Sequence, residues 1–477
     1  MRQDNRQKIQ KDFRAQKTSS FLGAQDKSKE KIDEKTKRSL AYSTKDGIAA
    51  TVTVNTGDNF ISPYAVALNA TNLQIGLLSA LPNLIPIELL TTRLMSTGKM
   101  SRKQISLLGV LIQIIMLALI ASLGLFAFKN SMIAPTLLIV LFTLYAAGGL
   151  FGSPAWASWM KDLTENIEMG KYFGNRNRIF GIIGLIAVII AGFALDSFKK
   201  AGLVFLGFAL LFLIAAISRT ISRYFMSKQH EPKLKIKKES FFSFWQFIKK
   251  SPTNNYGRFV IFIALINFSV MISGPFFSPY MLEVLKFNYI TYVFINLIIS
   301  TTATLVTMPL WGRFLDRYGC VKTMKITVWA LPFIPILWLV SQSSYWLFFI
   351  QILSGVAWAG FNLAAGTFTY EAVTKERMNL CIAYSSIFNG VAIFLGATLG
   401  GLIASLNITF MNIFLFVFLV SGIARIIVIG TMFHSIKEVR QVRSPKPLLK
   451  LILRPLQDLD FMSSFSNLIH PRSKKKR

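Results

Sequence analysis

The chain has 477 residues, is 53% hydrophobic and contains 41 phenylalanines, yet it carries a formal net charge of +31. With a mean hydropathy of +0.48, this composition excludes an ordinary soluble globular protein, and it requires apolar and basic residues to be segregated along the chain. Two cysteines exclude a disulfide framework, and no phosphate-cradling loop, nucleophile elbow or His/Cys cluster points to an enzyme, a nucleotide cofactor or a bound metal.

Residues 1–45 hold 13 Lys/Arg and 6 Asp/Glu with few large apolar residues, which predicts a disordered basic tail. No apolar core precedes residue 46, so no cleavable signal is expected. Twelve apolar stretches follow, at about 47–68, 73–95, 104–128, 132–156, 177–198, 202–224, 257–284, 289–311, 323–341, 345–370, 380–404 and 408–433. Each is long enough to cross a hydrocarbon layer of roughly 30 Å. They are too long for barrel strands and lack the alternation, and in lipid a backbone must satisfy its own hydrogen bonds. The expected fold class is therefore an all-α membrane protein, with six-helix bundles at 46–226 and 257–433. The first, fourth and tenth stretches carry Asn, Thr, Gly and Trp among their apolar residues, as helices lining an interior cavity would.

Between the bundles lies a linker, 227–256, in which Phe241 to Lys250 suits a short helix lying in the membrane interface. The C-terminal tail, 434–477, is again basic. Connections after odd-numbered stretches carry few cations, whereas those after even-numbered ones hold many, among them Arg93, Lys99, Arg102 and Lys103. The positive-inside rule then puts both termini in the cytoplasm of a cell-membrane protein. Anionic lipid headgroups account for the basic excess; no basic face or aromatic platform suggests nucleic acid.

The halves share an internal repeat. Phe60-Ile61-Ser62-Pro63-Tyr64 recurs as Phe276-Phe277-Ser278-Pro279-Tyr280, an offset of 216 residues. Trp159-x-x-Asp162 is matched by Phe368-x-x-Glu371, and Gly181 and Gly192 by Gly390 and Gly401, at an offset of 209. An ordered series of this kind implies two related halves with a binding site between them. Proline in each copy is expected to bend the first and seventh helices in parallel.

Between the eighth and ninth stretches stands Gly312-Arg313-Phe314-Leu315-Asp316-Arg317-Tyr318-Gly319, followed by Lys322. It closely resembles the loop signature Gly-x-Leu-x-Asp-Arg-x-Gly-Arg-Arg/Lys of the major facilitator superfamily. The resemblance implies two pseudo-symmetric bundles that alternate access to a midplane site lined by the first, fourth, seventh and tenth helices. It also implies a cytoplasmic latch at Gly312, Asp316, Arg317 and Gly319 that stabilises an outward-facing state. The first-half equivalent, Thr91 to Lys99, keeps the last glycine and a cation but lacks the aspartate.

Intramembrane ionisable groups are the first candidates for a transport role, since a charge at the bilayer centre is costly. Asp58 falls with Asn55, Asn59 and Ser62 on one helical face, a polar stripe suited to solute or proton handling or to polar glue between helices. Glu88 suits either proton handling or an inter-helix hydrogen bond, and Arg425 either a buried counter-ion or a snorkelling cation. Asp162 and Glu371, at the cytoplasmic ends of the fourth and tenth helices, read as gate or inter-helix salt-bridge groups. Trp156, Trp159, Asn267, Trp358 and Asn362 complete the expected cavity. The expected activity is secondary active transport of a small solute, proton-coupled, by a monomer, with a lean toward efflux of cationic or amphiphilic compounds. A lipid translocase or a non-transporting receptor with the same fold is the alternative.

Overall fold

The computed structural model describes residues 34–84, 87–123, 133–164, 169–232, 243–374 and 377–440. The outer parts of both basic tails and Pro86 lie outside this range. Among the described residues every regular element is helical, and ten helices are long and apolar enough to cross a membrane. The first expected span is not among them because its helix Glu34–Thr56 is polar along its first half and ends before Asp58, and the second includes residues outside the described range.

The first span shows why. A helix runs Glu34–Thr56, a single 3-10 turn covers Asp58–Phe60, and an α-helix resumes over Ile61–Ala67. Pro63 cannot donate to the carbonyl of Asn59 and its ring crowds it, so the helix tightens one turn before the proline. The seventh span repeats this at the 216-residue offset. Its helix Asn255–Ser273 gives way to a 3-10 turn at Gly274–Phe276, ahead of Pro279. Beyond the break, Tyr64 stacks on Phe208 and Phe212 of the sixth span, with ring centroids 4.8 and 5.2 Å away. Tyr280 meets Phe414 of the twelfth at 6.2 Å. The repeated pentapeptide therefore encodes a repeated helix break anchored by a buried tyrosine.

The helix of the first span begins earlier than expected. Residues 34–45 belong to it rather than to a disordered tail, with Arg38 and Glu34 paired one turn apart at 2.6 Å. Leu40 is buried with Trp159, Met160 and Met226, and that apolar contact is what a composition count over the whole tail averages away.

The described residues form two compact units: one comprises those up to 239 with 270–294 and 385–417, the other those within 240–269, 295–384 and from 418. In the first unit the third and fourth spans meet at Gly109, Gly148 and Gly152, where any side chain on Gly109 would collide with the Gly148 carbonyl. The repeat-related glycines also pack alike. Gly192 receives Ile290 and Val293 at the start of the eighth span, and Gly401 receives Asn72 and Leu73 at the start of the second. Asp196 completes the first of these seams by accepting the backbone N–H groups of Tyr289 at 2.7 Å and Ile290 at 2.9 Å.

In the second unit, Trp311 donates to the Val356 carbonyl at 2.9 Å and Thr304 to that of Gly355 at 3.1 Å, tying the eighth span to the tenth. Arg425 is buried and donates to the Leu331 carbonyl at 2.7 Å, so it does not snorkel. The short linker helix forms over Phe244–Lys250, closed by a reciprocal Ser243–Gln246 capping box. It buries Phe247 and leaves Trp245 76% exposed.

Candidate functional site

The 3-10 turn in the first span decides where its polar side chains point. An unbroken helix would align Asn55, Asp58, Asn59 and Ser62. Instead, Asn55 lies against Gly184 of the fifth span and accepts a hydrogen bond from Asn59 at 3.2 Å. Asp58 turns toward the fourth span, where the Tyr145 hydroxyl donates to its Oδ1 at 2.7 Å. The expected single stripe is thus split into an amide pair and a separate acid.

A buried polar chain extends from this region along the first helix. Arg219 of the sixth span directs Nε and Nη2 at Gln113 Oε1, at 2.9 and 2.6 Å, and Nη1 at Ser222 Oγ at 3.1 Å. Ser222 in turn donates to Asp46 Oδ1 at 2.6 Å. Arg219 also lies near enough to act electrostatically on Asp46 and Asp58, although Asp58 is not part of this chain of contacts. Beside it lies a cavity of about 210 Å³ whose lining includes Asp46, Gln113, Trp156, Arg176 and Arg219, with Gly148, Gly149 and Gly152 forming a wall. The guanidinium of Arg176 sits over the rings of Phe180, Trp156 and Phe173, at 4.7, 5.2 and 5.8 Å.

Of the expected cavity residues in the first unit, Trp156 lines this space. Trp159 does not: it is wholly buried in an apolar cluster, and its Nε1 donates to the His230 carbonyl at 2.8 Å. The two tryptophans lie about 60° apart round the helix axis, so Trp156 packs at the edge of the cluster that buries Trp159 and still reaches the cavity. Glu88, half-buried in the first turn of Ile87–Ser96, is hydrogen-bonded by Ser386 of the eleventh span. In the second unit Asn267 is half-buried, Trp358 meets Phe361 edge-on at 5.7 Å, and Asn362 is exposed.

The repeat-related acids each close a cluster. In the first half, Arg102 opens the third span and donates to Asp162 Oδ2 at 2.6 Å, to the Ser158 carbonyl at 3.1 Å and to the Pro232 carbonyl at 2.7 Å. Glu231 lies 3.6 Å from its Nε. Asp162 thus stands in a salt bridge between the third and fourth helices. In the second half, Cys320 opens the ninth span and donates to Glu371 at 3.4 Å, while Glu438 accepts from the Val321 backbone at 2.8 Å. Cysteine thus stands where the first half has arginine. The three side chains bring ligand-type atoms within 4.8 Å of one another.

The signature loop is a helix end. Gly319 terminates Ser300–Tyr318 with φ 89°, a conformation that an L side chain resists, and starts the ninth span at once. Asp316 and Arg317 are exposed, and Arg317 lies 5.5 Å over the Tyr318 ring. Among the described residues Asp316 has no ion-pair partner, and nothing lies within 4 Å of a Cβ placed on Gly312.

Sequence reasoning passed over Arg219, Gln113, Tyr145, Asp46 and Asp196, and treated Arg102 only as a loop cation. Arg219 carried a signal: it is an arginine inside a span otherwise rich in Leu, Ile and Phe.

The profile described as Major Facilitator Superfamily matches residues 48–305 and 259–467. The multi-drug resistance efflux pump PmrA of Streptococcus pneumoniae is 29% identical over 122 residues, spanning 24% of this chain and 29% of the pump. Among solved structures, a mutant of the nucleoside transporter NupG superposes with TM-score 0.66 at 15% identity, covering 83% of this chain and 100% of that one. A bacterial homologue of the iron transporter ferroportin, in an inward-facing state, gives 0.59 at 17% identity, with 86% and 100% covered. A bacterial homologue of the human lysosomal transporter Spinster gives 0.58 at 16%, with 88% and 100% covered. At these identities the structural likeness concerns the fold alone.

Proposed function

The chain belongs to the Major Facilitator Superfamily of membrane transporters, and from that premise we propose that it is a secondary active transporter in which Asp58 carries the coupling proton. The observation that carries this reading is the setting of Asp58. It sits on a helix break between two helical pieces, receives a hydrogen bond from Tyr145 and feels the charge of Arg219. An acid so placed changes its net charge on protonation without leaving the helix, and a helix interrupted at that point is suited to pivot. Tyr145 and Arg219 come from the fourth and sixth spans, so a proton on Asp58 alters the contacts of three helices together.

We take the moved species to be a small solute handled by a monomer in the cell membrane, with both termini cytoplasmic. The distribution of Lys and Arg along the connections supports that orientation, and the basic tails suit contact with anionic headgroups. Export is the direction named for the pneumococcal pump, and we extend it to this chain as the working direction.

Proteoliposomes loaded with a pH-sensitive dye test the coupling. A panel of small organic cations, anions and neutral compounds is added outside, and solute-dependent proton movement is recorded. The wild-type protein moves protons with at least one solute, and Asp58→Asn removes this while leaving solute exchange in place. Accumulation against a gradient by the Asp58→Asn protein would end the proposal.

A further inference from the structure

Arg176 is only 8% exposed, yet among the described residues it forms no hydrogen bond and no ion pair. Its Nε is fully buried without an acceptor. A guanidinium presents five N–H donors in a rigid fork, and leaving the buried Nε donor unmet is unfavourable even though the Asp46 charge lies near enough to act on Arg176. Attraction to the rings of Trp156, Phe173 and Phe180 offsets part of this cost but supplies no acceptor. Among the described residues none supplies that acceptor, and the adjoining cavity offers the space for a bound group that would.

The other charges lining the cavity are already engaged. Asp46 accepts from Ser222, and Arg219 donates to Gln113 and Ser222. With two arginines and one aspartate, the lining charges leave a net excess of +1. Gly148, Gly149 and Gly152 contribute to the lining beside the third span, and Gly47 lets the Arg176 guanidinium lie directly against the first helix. Trp156 adds an apolar surface to the lining.

We infer that this cavity binds a small solute through an oxyanion, a carboxylate or a phosphate, gripped in fork geometry by Arg176 with its apolar part against Trp156. The charge balance runs opposite to the preference for cations that Asp58 and Glu88 suggest when read from sequence. The inference rests on the transport reading only in taking the occupant to be the transported solute.

The test uses purified full-length protein in lipid nanodiscs. Benzoate and phenyl phosphate are the oxyanion probes, benzamide the neutral analogue and benzylamine the cationic one, each titrated by thermal shift and equilibrium dialysis. Saturable binding of benzoate or phenyl phosphate is expected, at least about tenfold tighter than of benzamide or benzylamine. The better of the two identifies the oxyanion. Arg176→Gln should abolish the preference, and Arg176→Lys should keep the charge but lose most of the affinity. The melting temperature of each unliganded variant reports whether the fold is intact. Equal binding of benzoate, phenyl phosphate and benzamide, no saturable oxyanion binding, or unchanged binding by Arg176→Gln overturns the assignment. Oxyanion binding without flux would refute transport and leave the site standing; flux indifferent to Arg176 would do the reverse.

Discussion

Replacing Arg102 by glutamine removes a buried cation on which four polar groups converge. The side chain is 1% exposed and holds Asp162 at 2.6 Å, the Ser158 and Pro232 carbonyls and, at 3.6 Å, Glu231. Breaking a fully buried ion pair costs about 3–5 kcal/mol, and each charge-assisted hydrogen bond contributes about 1.5–3 kcal/mol. Asp162 keeps 35% of its side chain in solvent and Glu231 21%, so water recovers part of the loss. The expected destabilisation is therefore about 2–3 kcal/mol. For a bundle of this size that corresponds to a fall of roughly 4–12 °C in apparent melting temperature. Differential scanning fluorimetry in detergent measures it, and a double-mutant cycle with Asp162→Asn isolates the pair. Because Arg102 is buried, added salt should hardly change the difference. Melting of Arg102→Gln indistinguishable from wild type, or strict additivity with Asp162→Asn, would show that the short contact carries no energy.

Asp196→Ala leaves the first two N–H groups of the eighth span without their acceptor. It should cost about 2–3 kcal/mol and speed amide exchange at Tyr289 and Ile290, read by hydrogen–deuterium exchange mass spectrometry. Gly319→Ala forces an alanine to φ 89°, which should cost about 1–3 kcal/mol, measured as lost thermal stability; Gly312→Ala, with open space around it, should be close to neutral. Cys320→Arg places a cation between Glu371 and Glu438 as the first half does with Arg102. It should raise the apparent melting temperature, whereas a fall would mean that the second-half pocket cannot admit a guanidinium.

How far the sequence reaches depends on whether a feature is local. Segregation of charge from apolar residues specifies spanning helices because lipid cannot hydrate a backbone. The repeated Ser-Pro-Tyr specifies a repeated break because proline acts on its own preceding turn. Gly319 specifies a left-handed helix stop for the same reason. Asp162 was readable as a salt-bridge group from its type and place, but its partner was not. Sixty residues separate it from Arg102, and nothing in either neighbourhood names the other.

The candidate site followed the same division. Asp58 stood out as an acid inside an apolar run, and Trp156 as an aromatic in a soft one. The stripe drawn through Asn55, Asp58 and Asn59 assumed an unbroken helix, and one tightened turn sent the acid to Tyr145 and the amides toward Gly184. Sequence alone determined the solvent, the helices, the two related halves and the family resemblance, since each follows from composition or spacing along the chain. Only the tertiary structure decided that Asp58 meets Tyr145, that Trp159 is core while Trp156 faces a cavity, and that Arg176 Nε is buried without an acceptor among the described residues. Those facts depend on which helix faces which, and that is set by small residues such as Gly109 and Gly148 that let backbones approach. Charge compensation between distant helices leaves no periodic trace in the chain.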